Sequence, residues 1–243
     1  MKVLLLGGTG EARSLAAAFA AEPDLQVVSS LAGRITDARL PVGEVRQGGF
    51  GGTDGLVDWL RDNSVDAVVD ATHPFAATMT EHAVAAAREV GVPLLILRRP
   101  GWTAVAGDLW HWVDTPSEAA GLLPSVGTRA FLTIGRQGLA AFEQSGVWML
   151  ARCVEPPEPV PTWCELILDR GPYDVYGELA LMRQYQIDVL VTKDSGGEQT
   201  AAKLIAAREL GVPVVVIRRP PLPAGVEAVD SVDRVVEWVR ARR

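Results

Sequence analysis

The sequence predicts an α/β fold: two similar, doubly wound parallel-sheet domains related by internal duplication. Three observations carry that expectation. The first is a repeat, because residues 91–100 read GVPLLILRRP and residues 211–220 read GVPVVVIRRP, each after an alanine-rich helical stretch (AAAREV, AAAREL). The second is that the match extends in both directions. VDAVVDATHPF at 65–75 lines up with IDVLVTKDSGG at 187–197, and LLLGGTGEA at 4–12 with FLTIGRQGL at 131–139. Gly49-Phe50 falls on Gly171-Pro172, and VDTPSEAAGLL at 113–123 falls on VDSVDRVVEWV at 229–239. The third is the alternation of short Val/Leu/Ile runs with helical stretches, the pattern of parallel strands covered on both faces. A period near 120 residues is too long for a solenoid and suits two small domains.

Taken in order, Val3–Leu6 is a strand bounded by glycines, Ala12–Ala21 a helix and Leu25–Ser29 a strand. Strands at Val65–Asp70, Val92–Leu97 and Trp110–Val113 follow, with helices near 54–62, 76–90 and 116–123. The second copy repeats the alternation, with strands near 130–134, 147–152, 187–192 and 213–218 and helices near 137–143, 175–185, 198–210 and 231–241. EPPEPVP at 155–161 is an extended loop without a counterpart in the first copy. Pro and Gly interrupt both patterns at Pro124–Thr128, which places residues 1–126 in a first domain and 127–243 in a second.

Of the 243 residues, 48% are hydrophobic and 22% charged, the balance of an ordinary globular protein. No apolar run reaches the ~20 residues of a membrane span. The opening MKVLLLGG is too short for a signal peptide and ends in a turn, so a cytoplasmic protein is expected. Cys153 and Cys164 flank the Pro-rich loop, where a disulfide is open but reduced thiols are the expectation. A net charge of −7 argues against non-specific nucleic-acid binding. Arginines outnumber lysines 20 to 3, which reflects either a GC-rich genome or a use of guanidinium forks for carboxylate or phosphate recognition; position has to decide.

The turn Gly7-Gly8-Thr9-Gly10-Glu11-Ala12 follows a buried strand and opens a helix. Glycines there let the backbone turn sharply and approach a pyrophosphate, which then sits on the helix N-terminus as in Rossmann-like folds. Arg13 stands where the G-x-G-x-x-G pattern wants a small residue, so three readings stay open: a dinucleotide, another adenine ligand such as S-adenosylmethionine, or a structural turn. The second strand ends in Ser29-Ser30-Leu31-Ala32-Gly33-Arg34, with no acid to hold a ribose 2′-hydroxyl. Hydroxyls and a guanidinium favour a 2′-phosphate, hence NADPH over NADH; the plainer reading of Arg34 is an exposed loop arginine. Gly48-Gly49-Phe50-Gly51-Gly52 and Asp70-Ala71-Thr72-His73-Pro74 come just after strands and supply further contacts. The cofactor-binding set is therefore Gly7, Gly8, Thr9, Glu11, Ala12, Ser30, Gly33, Arg34, Gly51, Thr72, His73 and Pro74. A lone loop histidine such as His73 is more often structural than a proton donor.

In the second copy the glycine turn becomes Thr133-Ile134-Gly135-Arg136-Gln137, and a bulky arginine there argues against a second dinucleotide. Arg152 ends the next strand; Asp169-Arg170-Gly171-Pro172-Tyr173 and Thr192-Lys193-Asp194-Ser195-Gly196-Gly197 follow. The last turn has the composition of an anion nest at a helix start. Arg136 and Arg170 are either anion ligands or salt-bridged surface residues. Arg98-Arg99 and Arg218-Arg219, identical in both copies, read as architectural. His73, His82 and His111 lack ligand spacing, so no metal site is expected.

GGTGEA, LAGR, GGFGG and DATHPFA, followed by TIGRQ, RGPY and TKDSGG, together resemble the precorrin-6A reductase family of cobalamin biosynthesis. The resemblance spans essentially the whole chain in the family's order; DATHPFA with TKDSGG is its most specific part. The chain departs from the family pattern at Tyr173, where Phe is usual, and at Asp194, where Asn is usual. The resemblance implies NADPH-dependent reduction of a double bond of precorrin-6A to precorrin-6B (dihydro-precorrin-6), a tetrapyrrole rich in carboxylates. It implies a substrate set of Arg136, Arg170, Lys193, Ser195, Gly196 and Gly197, with the macrocycle in a cleft between the halves. Lys193, Tyr173 and His73 are candidate proton donors, beside solvent and the substrate's own carboxylates. Expected partners are the small-molecule substrate and, transiently, neighbouring pathway enzymes, with neither nucleic acid nor membrane. Two other classes compete with this reading. An S-adenosylmethionine-dependent methyltransferase would want an acid at the second strand end, and an NADPH-sensing regulator would leave the Arg/Lys/Gly-Gly set unexplained.

Overall fold

Strand–helix alternation is realised as two compact units, each built on a six-stranded, all-parallel sheet. The computed structural model describes residues 1–33 and 40–243. The first unit opens with β1 (Lys2–Leu6), α1 (Gly10–Ala20), β2 (Gln26–Leu31), β3 (Glu44–Gln47), α2 (Thr53–Asp62), β4 (Ala67–Asp70), α3 (Ala77–Val90) and β5 (Leu94–Leu97). The second contains β6 (Trp110–Val113), α4 (Pro116–Val126), β7 (Arg129–Thr133), a 3-10 helix (Arg136–Phe142), β8 (Trp148–Cys153) and β9 (Glu165–Leu168). It continues with α5 (Val175–Gln184), β10 (Val189–Lys193), a 3-10 turn (Glu198–Thr200), α6 (Ala202–Leu210) and β11 (Val214–Ile217). The chain then returns to the first unit for β12 (Glu227–Val229) and α7 (Val232–Arg240).

The strand orders are β12-β5-β4-β1-β2-β3 and β6-β11-β10-β7-β8-β9. In both sheets the order reverses beside the central strand, β1 or β7, which is where doubly wound sheets keep their ligands. The expected boundary at 126–127 is corrected by these pairings. β6 pairs with β11 in the second sheet and β12 with β5 in the first, so the units are Met1–Pro100 with Pro220–Arg243, and Gly101–Arg219. Each copy's last strand and helix serve the other copy's sheet. The physical reason is that β6 and β12 occupy equivalent places in the repeat, so either can complete either edge.

Cores follow from the apolar runs. In the first unit Val3, Leu5, Ala67, Val69 and Leu95 pack against Leu15 and Phe19 of α1 and Val235, Trp238 and Val239 of α7. On the opposite face Leu4, Leu6 and Val68 pack against Leu56 and Leu60 of α2 and Ala83 and Ala86 of α3. Successive strand residues face opposite layers, both apolar, which is why the strands read as continuous hydrophobic runs. The second unit repeats one such layer with Phe131, Leu150, Leu190, Val214 and Val216 against Leu179, Met182 and Leu204.

The repeated GVP has a shared cause. Gly91 and Gly211 close α3 and α6 in the left-handed conformation at φ 79° and 65°, and the Val92 and Val212 amides donate back to Ala87 O and Ala207 O. A side chain is strained in that conformation, and the proline that follows stops the helix and starts the strand. Asp66 and Asp188 form a second matched pair. Asp66 accepts from the Lys2 amide at 2.7 Å, and Asp188 accepts from the Thr128 and Arg129 amides at 2.9 and 2.7 Å.

Two helices differ from expectation. The stretch expected as a helix near 137–143 is the 3-10 helix, with no side-chain cap, and the helix expected over 198–210 begins as a 3-10 turn before α6.

Candidate active site

The C-terminal ends of β1, β2 and β4 bring together most of the residues expected to meet a cofactor. Thr9 caps α1: its Oγ1 accepts from the Ala12 amide at 3.1 Å and donates to Ala71 O at 2.8 Å. One hydroxyl thereby orders the helix start and ties it to the loop after β4. The Gly7 amide donates to Ser30 O at 2.9 Å, joining the same turn to the end of β2. Gly8 adopts φ +113°, with nothing within 4 Å of where a Cβ would stand. Open space beside a helix N-terminus and a backbone conformation that only glycine takes without strain fit the approach of a pyrophosphate.

After β4, the buried carboxylate of Asp70 accepts from the Thr72 amide and hydroxyl at 3.0 and 2.7 Å and from the Thr80 hydroxyl at 2.6 Å. These bonds fix the Thr72-His73-Pro74 loop. His73 Nδ1 accepts from the Phe75 amide at 3.3 Å, which leaves the proton of the neutral ring on Nε2. Thr72, His73 and Pro74 line a small pocket with Asp70, Thr80 and Arg98. Gly33 comes within 3.3 Å of the Gly48 amide, measured from its would-be Cβ, so the ends of β2 and β3 also meet. Gly51 lies two residues before α2. Glu11 and Ala12 fall in the first turn of α1; Ala12 is buried, and Glu11 pairs with Arg99 at 2.6 Å. Arg34 lies outside the described residues.

In the second unit the same strand ends carry charge. Parallel pairing sets Lys193 at the end of β10, Arg136 after β7, Arg152 on β8 and Arg170 after β9, all at one edge of the sheet. The Lys193-Gly197 turn is held by Ser195 N donating to Lys193 O at 2.6 Å, Thr200 Oγ1 to Gly196 O at 3.1 Å and Trp102 Nε1 to Gly197 O at 3.1 Å. Burial pushes the Lys193 ammonium below the usual lysine range. Arg136 pairs with Glu155 at 3.2 Å, and Arg170 is exposed. The Tyr173 hydroxyl donates to Asp169 O at 2.9 Å, its ring lies 3.6 Å from the Arg152 guanidinium, and burial pushes its phenol up.

Asp194 does not face an anion. Its Oδ1 accepts from the Trp102 amide at 3.0 Å, and Oδ2 pairs with Arg219 at 3.1 Å, while Arg219 Nε also reaches Asp194 O at 2.7 Å. This explains why an acid is tolerated there, and it gives Arg219 a structural partner. Arg218 pairs with Asp114, and Arg98 donates to Pro220 O.

Three groups escaped the sequence reading. Arg46 is one, on a short strand (EVRQ) with no apolar run to announce it; its place just before the glycine run was the available signal. Glu178 and Lys203 are the others, on α5 and α6, and only their burial marks them. Arg152 pairs with Glu178 at 2.7 Å with side chains 7% and 1% exposed, and Lys203 Nζ donates to Thr200 O at 2.6 Å. Desolvation pushes the Lys203 ammonium down to about 7, against the attraction of Glu178. Among the described residues no group of three or more His, Cys, Asp or Glu is placed to hold a metal ion, and no helix is long and apolar enough to cross a membrane.

The profile of the family described as "Precorrin-6x reductase CbiJ/CobK" matches residues 2–240. The chain belongs to this family. A precorrin-6A reductase of Rhodococcus erythropolis is 57% identical over 240 residues, covering 98% of this chain and 97% of its own length. One of Mycobacterium tuberculosis is 51% identical over 244 residues, covering 98% and 97%. A solved structure described as "CobK precorrin-6A reductase" matches with a TM-score of 0.92 at 41% identity, covering 100% of this chain and 97% of that one. The CbiJ/CobK chain is thus an oxidoreductase of cobalamin biosynthesis, and neither the methyltransferase nor the regulator draws support from its relatives. The family implies a redox cofactor, and the glycine turn with its capped helix is the part of the chain that fits one.

Proposed function

We propose that this protein reduces one double bond of precorrin-6A at the expense of NADPH, giving precorrin-6B. The observation that carries the division of labour is a contrast between equivalent turns. After β1, Gly8 and Thr9 open a capped α-helix; after β7, Gly135 and Arg136 open an uncapped 3-10 helix. Only the first offers an ordered set of helix N–H groups and their dipole to a pyrophosphate.

When bound, the reduced nicotinamide supplies a hydride, and a proton completes the reduction of the carbon–carbon double bond. The chain's own residues do the rest. Gly7, Gly8 and Thr9 admit and orient the diphosphate, Ser30 and its neighbours receive the adenosine ribose, and the Asp70-braced loop with His73 and Pro74 bounds the site. In the second unit Arg136, Arg170, Lys193 and the Ser195-Gly196-Gly197 turn hold acetate and propionate carboxylates. An acidic protein needs such local cations to hold a polyanion, and they contribute binding and position more than chemistry. Proton delivery is better suited to Lys193 or His73 than to Tyr173, whose hydroxyl is already committed to Asp169 O.

The test is an anaerobic assay with precorrin-6A, expected to consume NADPH in proportion to the precorrin-6B formed. No consumption removes the reading. Arg136→Ala and Lys193→Ala should weaken substrate binding and leave NADPH binding intact; a loss of NADPH binding instead would reverse the roles assigned to the two units.

A further inference from the structure

The guanidinium of Arg46 stands at the end of β2, beside the first unit's glycine turn. Register places Arg46 of β3 directly across from Ser30 of β2. Its Nη1 donates to Ser30 Oγ at 3.0 Å and Gly48 O at 2.9 Å, and Nη2 donates to Gly49 O at 3.0 Å. The guanidinium lies 3.7 Å from the centre of the Phe50 ring, which packs edge-on against Trp59. All three acceptors are neutral oxygens, and among the described residues no carboxylate approaches it. Four other buried or half-buried arginines, Arg99, Arg152, Arg208 and Arg219, each meet an acid at 2.6 to 3.1 Å. Arg129 resembles Arg46 in meeting a carbonyl, Tyr185 O, and a ring, Trp148, but lies at the start of β7, away from the strand ends that carry the site. A partly buried cation met only by neutral dipoles can take on an anion without first giving up a carboxylate partner.

Its position says which anion. Ser30 O is also the acceptor of the Gly7 amide, so Arg46 is one residue removed from the glycine turn, at the strand end that in doubly wound folds meets the adenosine ribose. We propose that Arg46, with the Ser30 hydroxyl, receives the phosphate monoester on that ribose and sets the preference of this chain for the phosphorylated dinucleotide. The planar fork is fastened on its Nη edge by Ser30, Gly48 and Gly49 and stacked on Phe50, so little rotamer freedom is lost on engaging a phosphate. Burial already lowers the Arg46 pKa, a desolvation cost that a dianionic neighbour offsets. The inference rests on the dinucleotide reading of the first unit, and it moves the specificity from Arg34, the sequence's candidate, to a residue on a strand.

The experiment titrates wild type, Arg46→Gln and Arg46→Lys with NADPH and NADH, and with adenosine 2′,5′-bisphosphate and adenosine 5′-monophosphate, following tryptophan fluorescence. Wild type is expected to favour the 2′-phosphorylated member of each pair. Arg46→Gln should lose about 10- to 100-fold of that ratio with NADH affinity held, and Arg46→Lys should keep part of it. The ratio within one variant is insensitive to a general loss of folded protein. If Arg46→Gln keeps the wild-type ratio, or weakens both members of a pair equally, Arg46 merely fastens the glycine loop and the proposal is overturned. If wild type itself does not discriminate, the NADPH reading falls first, a result distinct from either.

Discussion

At one topological point the two units place a guanidinium and balance its charge in opposite ways. Strand register makes Ser30 and Arg152 equivalent: Leu5 pairs with Ser29 and Leu132 with Ala151, each followed by the residue in question. In the first unit the β2 end carries a hydroxyl, and Arg46 reaches it from β3 with neutral acceptors alone. In the second the arginine is on the strand itself, between the Phe131 and Tyr173 rings, and paired with buried Glu178. One cation is left for a ligand and the other is consumed by the fold. The lesson is that a basic residue at a strand end is not a site until its counter-charge has been found.

The sharpest way to break the comparison is to remove Arg152. Glu178 would then lose its paired guanidinium and keep only the desolvated Lys203 nearby, and Arg152→Ala should cost about 3–5 kcal/mol in denaturant unfolding. Arg46→Gln, which strands no carboxylate among the described residues, should cost far less. Equal losses would erase the distinction. Next come the paired turns. Gly8 at φ +113° and Gly135 at φ +73° both resist a side chain, so Gly8→Ala and Gly135→Ala should each cost about 1–3 kcal/mol. Only Gly8→Ala should also weaken NADPH binding, by tenfold or more, because a methyl group there enters the space the diphosphate needs. A matching loss in Gly135→Ala would place the dinucleotide in the wrong unit.

Much of this was legible beforehand. Alternating apolar runs disclosed the strands, the repeat disclosed two units, and the glycine turn, DATHP loop and TKDSGG turn fell where the strand ends are. What stayed hidden was non-local. β6 and β12 are equivalent in the repeat, and nothing in a strand's own sequence says which sheet edge it completes. β3 (EVRQ), β9 (ELIL) and β12 (EAV) were missed because all three are short edge strands, each with an exposed end and no continuous apolar run flanked by turn signals. The departure at Asp194 had no explanation in the sequence because its partners, Trp102 and Arg219, lie elsewhere along the chain. Arg46 and Lys203 were passed over for the same reason: a cation's role depends on acceptors that only folding brings near.

Lys203 sharpens the comparison through pH. Its ammonium is desolvated to about 7 in the folded protein and titrates near 10.4 when unfolded. Between those values the unfolded chain holds a proton the folded chain lacks, so stability rises with pH, by up to about 1.4 kcal/mol per unit from this group, and is flat below 7. Lys203→Met should abolish that slope and gain most at pH 7 and below, less as pH approaches 10. An unchanged slope would mean that Glu178 keeps the ammonium charged throughout.

The smallest effect expected is at Thr9. Thr9→Ala removes the acceptor for the Ala12 amide and the bond to Ala71 O, costing about 1 kcal/mol of stability in thermal or denaturant unfolding. Thr9→Ser keeps both bonds and should stay near wild type. The counterpart Arg136 caps nothing, so Arg136→Ala should leave stability within about 0.5 kcal/mol, its Glu155 partner being partly solvated. If Arg136→Ala destabilises as much as Thr9→Ala, the second turn is as well built as the first, and the structural ground for assigning the dinucleotide to one unit is gone.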